Sequence, residues 1–245
     1  MYMSPPGLSA GSYFGIGIVT MKRLFLVFSL LLSMAASTVA VSAQVDGVEA
    51  PDIPETDIEG AQIAYSRMYS VDFMALMDDP DVDLETDMAA MMRSMSIQGI
   101  QFDSEDNAKA YVELSMDALD EAMESDPETM EGMEASELEG FDVDGIVVSM
   151  DMPDVGIAMT LILFVDGDQV FQISATDADV ETSRATAESL VEYVLDNEVQ
   201  TEEVTFNEDG TSTGGVFDRM PAADHELVGD LTSVTDMELM PPAGE

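Results

Sequence analysis

Methionines are the residues here whose type and spacing most clearly suggest chemistry. The chain holds 21 of them in 245 residues. They recur as Met-x-x-Met at Met74/Met77, Met88/Met91, Met92/Met95, Met130/Met133 and Met237/Met240, with Met150 and Met152 as a further close pair. At this methionine frequency, random placement gives about one or two such pairs. Thioether sulfur is a soft donor that selects Cu(I). Positions i and i+3 of a helix share a face. A short helix over 87–95 would therefore let Met88, Met91, Met92 and Met95 converge on one copper ion. The competing reading is packing, because methionine fills irregular gaps in a core, and Met150 and Met152 point to one face of a strand. Packing is the expectation. Cu(I) is the alternative cofactor, and a surface methionine groove for a peptide partner is a third reading.

Other site chemistries find little support. His225 is the single histidine and lies between Asp224 and Glu226 near the C-terminus, a setting that predicts a solvated side chain rather than a catalytic base. The absence of cysteine excludes thiol nucleophiles and Cys/His zinc sites. No carboxylate pair for hydrolysis stands out among 51 acidic residues. Two acidic loops fail the EF-hand pattern, because the first ligand position is Gly140 in one and Ile162 in the other. No catalytic residue is assigned, and the chain is expected to be non-enzymatic.

The elements that would position any site are legible in part. Residues 158–165 and 168–175 are strand-like runs flanking Asp166-Gly167, a preferred two-residue hairpin turn. Residues 145–152 form a third strand, joined through the Pro153–Gly156 turn, so the three make an antiparallel meander. A helix follows, capped by Thr176, Asp177 or Asp179, with Val180, Ala187, Leu190, Val191 and Val194 at helical spacing. A second helix opens at Asp103 or Ser104 and ends near Ser125-Asp126-Pro127. A first strand is expected over 63–73, a short helix over 87–95, and an acidic connection over 128–140. The fold class is α+β, an antiparallel sheet flanked by helices.

This order resembles the PsbP-like superfamily, including the DcrB-like secreted bacterial proteins. The stretches that carry the resemblance are 104–122, 145–152, 159–175 and 180–197, about half of the exported chain. They are hydrophobic patterns rather than catalytic signatures. The resemblance implies an α/β/α-type sandwich without enzymatic activity and supplies no functional residues. The chain departs from the DcrB-like lipoproteins in having no lipobox cysteine.

Charge sets the remaining limits. The chain carries 51 acidic and 7 basic residues, a formal net charge of −44, together with 46% hydrophobic residues. That pairing of charge with core-forming material suits very salty water, where the Debye length falls to about 3 Å and surface carboxylates hardly repel one another. A halophile's protein is expected. Such a surface cannot hold phosphate backbones or anionic membranes, which leaves an unknown protein or small ligand as partner. Met21-Lys22-Arg23, the apolar run from Leu24, and Val41-Ser42-Ala43 read as a secretory signal peptide over 21–43, cleaved after Ala43 in preference to remaining as an anchor. Residues 1–20 read as a misassigned start. The expected location is periplasmic or extracellular. Residues 44–60, with Pro51 and Pro54, read as an acidic linker. Residues 61–200 form the domain, and 201–245 an acidic tail or one extra strand or short helix.

Overall fold

The computed structural model describes residues 60–72, 88–125, 132–153, 156–207 and 210–240, with backbone alone at Met88, Ala89, Ala122, Ser125 and Met240. The signal segment, nearly all of the acidic linker, and Met74, Met77 and Met130 lie outside the described residues. In chain order the elements are β1 (Ala61–Ser70), α1 (Met88–Met92), β2 (Ser94–Phe102), α2 (Glu105–Ser125), β3 (Met133–Glu137), β4 (Gly145–Met152), β5 (Ile157–Asp166), β6 (Gln169–Asp177), α3 (Val180–Asp196), β7 (Thr205–Phe206), β8 (Ser212–Thr213), a 3-10 turn (Gly215–Arg219) and β9 (Ser233–Met240).

Seven strands make one antiparallel sheet in the order β3-β4-β5-β6-β2-β1-β9, while β7 and β8 form a separate small hairpin. The sheet is built on alternation. Ile97, Ile173, Ile162 and Val147 lie in register across β2, β6, β5 and β4. They face α3, whose Ala187, Leu190, Val191 and Val194 are fully buried in the same core cluster. Residues of opposite parity, such as Ile100, Val170 and Val165, line the other face. There α2 contributes Ala108, Val112 and Leu119 to the core, and Tyr111 meets Phe102 with ring centroids 5.6 Å apart. Helices on both faces of an antiparallel sheet give the expected α+β sandwich. Burial pushes the Tyr111 phenol up to about 12, with a hydrogen bond involving Ser115 acting in the opposite direction.

Three sequence expectations are corrected. The hairpin turn sits one residue later than expected: Asp166 pairs with Gln169, so the central residues are Gly167 and Asp168. Only Gly167 has positive φ, at 63°, which matches a type II′ turn with Gly in the first central position. The helix expected over 87–95 ends at Met92, and Ser94–Phe102 is a strand between β6 and β1. The acidic connection contains β3, paired to β4 through Met133↔Met150 and Ala135↔Val148.

The segment after 200 is no mere tail. All described residues belong to one compact unit, and the arginines tie the C-terminal segment to the sheet. Arg67 on β1 donates from Nε and Nη2 to the two carboxylate oxygens of Asp236 on β9, each at 2.7 Å. It also donates to the carbonyls of Ser212 at 2.6 Å, Pro221 at 3.2 Å and Met220 at 3.3 Å. Arg93 reaches Asp177 and Asp230. Arg219 caps the last turn of α3 through the Val194 carbonyl, pairs with Asp166, and lies over the Phe171 ring at 4.6 Å. His225 is likewise drawn in, half-buried with its ring edge-on to Tyr193 at 4.8 Å.

Asp218 holds the start of this segment. Its carboxylate accepts the backbone N–H of Gln200 at 2.9 Å, Thr201 at 3.1 Å and Gly214 at 3.0 Å. Partial burial works to raise its pKa, but these donors outweigh it and hold the group below the usual carboxylate range. A lowered folded-state pKa contributes stability that is present above the unfolded pKa and lost as pH falls through the folded one. Asp218→Asn is therefore expected to cost about 1–2 kcal/mol near neutral pH. The cost should shrink as pH falls below about 4, the ordinary carboxylate value, and disappear once the native carboxylate, held lower, is protonated too. Denaturant unfolding of both proteins across pH 3–7 checks this; a difference independent of pH would refute it.

Candidate functional site

Where β1 begins, β2 ends and β6 begins, the sheet is left open on its α3 side, and residues 199–216 wall that opening. The result is a groove of about 570 Å³. Tyr65, Gly99, Gln101 and Gln169 line it from the sheet, and Val199, Glu202, Val204 and Val216 form the wall. Gly99 makes the arrangement possible. A Cβ there would fall 2.3 Å from Val216 Cγ2 and 3.3 Å from Phe171 Cε1, so a side chain would displace the wall. A glycine inside a strand marking a close approach of another segment is the expected use of that residue.

The amides of the groove are set in advance. Arg219 Nη1 donates to Gln169 Oε1 at 2.7 Å, Gln169 Nε2 donates to Gln101 Oε1 at 2.8 Å, and Gln101 Nε2 donates to the Phe102 carbonyl at 3.1 Å. This relay runs from a buried guanidinium to the groove lining and fixes the orientation of both carboxamides. Tyr65 anchors the other side, with its ring 5.2 Å from Phe217 and 6.1 Å from Phe206. Burial, and secondarily the charge of Glu238, raise the Tyr65 phenol above its ordinary value, so it stays a neutral donor at physiological pH. Asp103, Asp168 and Glu202 are part of the lining, to which none of the described Lys, Arg or His residues contributes. The groove thus offers hydroxyl, carboxamide and carboxylate groups beside the apolar side chains of Val199, Val204 and Val216.

The methionines proposed as a copper set do not share a helical face. Met88, Met91 and Met92 belong to α1, and Met91 and Met92 are half-buried, but Met95 lies on β2 opposite Ala175. Met95 is 4% exposed and part of the core cluster with Ile97 and Ile173. Its role there is packing. Met150 and Met159, paired across β4 and β5, are also buried. Among the described residues no cluster of three or more His, Asp or Glu side chains is arranged to hold a metal ion. None of the groove residues was singled out from the sequence. Interior glycine at 99 was the only signal for them, and glutamine carries no signature of its own.

Among the described residues no helix is long and apolar enough to cross a membrane. No protein-family profile matches this sequence, and no curated protein matches it. Among solved structures it is similar to the extracellular domain of PknH from Mycobacterium tuberculosis, at 11% identity and a TM-score of 0.29, over 40% of this chain and 53% of that one.

Proposed function

We propose that this chain is an exported, non-enzymatic binding or accessory module of a salt-adapted cell, and that the groove between the β1–β2–β6 end and residues 199–216 is its recognition surface. The observation that carries the reading is the pre-set Arg219–Gln169–Gln101 relay opening into a groove of about 570 Å³. That size falls within the range of small-molecule sites. The non-catalytic part rests on where the shifted groups lie. Strongly perturbed titrating groups usually mark catalytic sites. Here the groups shifted furthest, Tyr69 and Tyr111, are raised by burial in the packed interior, and neither lines the groove. Tyr65 does line it, but its phenol is raised, chiefly by burial, which keeps it a neutral hydrogen-bond donor rather than a base. The lowered carboxylates, Asp179 and Asp218, bind backbone N–H groups.

The lining determines which ligands can enter. With three carboxylates and no basic side chain it disfavours anions at close range, and its Gln and Tyr groups suit a neutral or cationic polar molecule with an apolar body. The chain contains no tryptophan, so a Val199→Trp variant gives a single reporter on the groove wall. In about 3 M KCl, a salt level at which only short-range charge effects survive, titration with benzyltrimethylammonium or N-acetylglucosamine should give saturable fluorescence changes, and benzoate should give none. If no probe produces a saturable change, or benzoate alone does, the groove is not the recognition surface.

A further inference from the structure

The two outer strands of the sheet are β3 and β9, and they differ in how their free edges are guarded. On β9, pairing with β1 is broken by a register shift at Ala64/Tyr65, and the outward N–H of Asp236 is taken by the Gly210 carbonyl at 3.2 Å. Bulges and covering loops are the usual protection of an edge. By contrast β3 pairs with β4 without a register shift, contains no Pro or Lys, and is exposed from Glu134 to Glu137. The flanking bonds Asp151 N–H to the Gly132 carbonyl and Leu138 N–H to the Gly145 carbonyl fix its phase. Even-numbered residues turn their backbone groups to β4, so Met133, Ala135 and Glu137 present theirs outward.

We propose that β3 pairs antiparallel with β3 of a second copy of this chain about a two-fold axis through Ala135, joining the two sheets into one. In that register Ala135 faces Ala135, Met133 faces Glu137, and Glu134 faces Ser136. No carboxylate lies directly opposite another, which would be destabilising. Charge complementarity favours the second copy as occupant. Glu134 and Ser136 lie on the α3 side of the sheet, beside a cleft of about 390 Å³ also lined by Ser149 and Arg184. Arg184 engages Glu188 through Nε at 2.8 Å, and its Nη groups make no hydrogen bond among the described residues. The second copy's Glu134, arriving beside Ser136, brings a carboxylate to that cleft, and the symmetry forms the contact twice. Among the described residues the acidic side chains of β3 are its only guard, and at molar salt their repulsion extends only about 3 Å. Dimerisation is accordingly salt-dependent.

The chain has no cysteine, so single substitutions report the register directly. Directly opposed residues of a hydrogen-bonded antiparallel pair have Cα atoms about 5.5 Å apart, within disulfide range. The chain beginning at Gln44, which contains every described element, is used in about 3 M KCl. Ala135→Cys should cross-link to a covalent dimer under mild oxidation. Met133→Cys, whose two copies lie about 13 Å apart in this register, should cross-link at least about tenfold more slowly. By sedimentation equilibrium the unsubstituted chain should be dimeric, and Ala135→Pro, which removes an outward N–H without touching the β4 ladder, should weaken the dimer about tenfold or more. Should Ala135→Pro fail to fold by circular dichroism, Glu134→Arg decides, because it sets like charges against Arg184 and should weaken the dimer comparably. A monomer at about 100 μM in the same salt would overturn the proposal. So would equal cross-linking at 133 and 135, or a dimer indifferent to Glu134→Arg.

Discussion

Transferred from about 3 M KCl into dilute buffer, this protein is expected to lose its cooperative fold, and to regain it when salt is restored. The argument is one of charge balance. The described basic residues, Arg67, Arg93, Lys109, Arg184 and Arg219, each have an acidic partner already. Against a formal net charge of −44, no further cation is present among the described residues to offset the remaining carboxylates. At about 0.1 M salt the Debye length is about 10 Å, so neighbouring surface acids repel across several residues; at about 1 M it is about 3 Å and they largely do not. Domain stability is only about 5–15 kcal/mol, and self-repulsion of this size is enough to exhaust it. Far-UV circular dichroism against KCl concentration should show a sigmoidal recovery of helix and strand signal. An equal osmolality of sucrose, which does not screen charge, should recover much less. A fully folded, cooperatively melting protein in about 50 mM salt would show that the sandwich tolerates its own charge and would remove the salt-adapted reading.

How far the sequence discloses the fold depends on whether local signals and tertiary packing agree. They agree in β4, β5, β6 and α3. There apolar runs, a Gly-containing turn and an Asp cap at 179, whose side chain accepts the Thr182 N–H, all point one way. They disagree in β2. The segment Ser94–Phe102 carries Gln98, Gly99 and Gln101 and reads as polar and interrupted, yet it is an inner strand with Ile97 and Ile100 almost fully buried. Its glycine is explained chiefly by Val216, more than a hundred residues away in sequence, and secondarily by Phe171, neither of which local pattern can register. Strand β3 is Met-Glu-Ala-Ser-Glu, without a single β-branched residue; it is a strand because the edge of β4 holds it. The C-terminal segment was illegible for a third reason. Its anchors are arginines and carboxylates whose pairing, such as Arg67 with Asp236, spans 169 positions. The groove inherits all three difficulties, since it is assembled from β1, β2, β6 and that same segment. For the methionines packing is the expectation, and Met95 packs in the core; what the spacing misses is that β2 begins where a helix is expected to continue, so Met95 lies on a strand and Met91 and Met92 on α1.

Replacing Arg67 with Met should be among the most damaging single changes in the described residues. Arg67 is 5% exposed, and the Asp236 side chain is fully buried. Removing the guanidinium leaves that carboxylate without its counter-charge and strips donors from the Ser212, Met220 and Pro221 carbonyls together. Breaking a buried pair from one side costs about 3–5 kcal/mol, a large share of any domain's stability. Because the pair is shielded from solvent, added salt should not restore the loss, in contrast to the general salt requirement. Lysine is not an adequate replacement: a compact ammonium cannot supply the planar fork that meets Asp236 side-on and three carbonyls at once. Arg67→Lys should therefore be destabilised as well, though less. The double variant Arg67→Met/Asp236→Leu should recover part of the deficit, since it removes the buried charge along with its partner. The residual cost is the loss of the arginine's bonds to the Ser212 and Met220 carbonyls, while the Pro221 carbonyl keeps the Tyr69 hydroxyl as donor at 2.7 Å. Lys109→Met, which opens an exposed pair with Glu105 on α2, should leave the unfolding midpoint unchanged in molar salt. Urea unfolding of the four variants at fixed high KCl measures all of these together. If Arg67→Met unfolds at the same urea concentration as the parent, β9 and the 212–221 segment are held by the β1 ladder and their remaining contacts without help from this pair. The arginine would then contribute no net stability there.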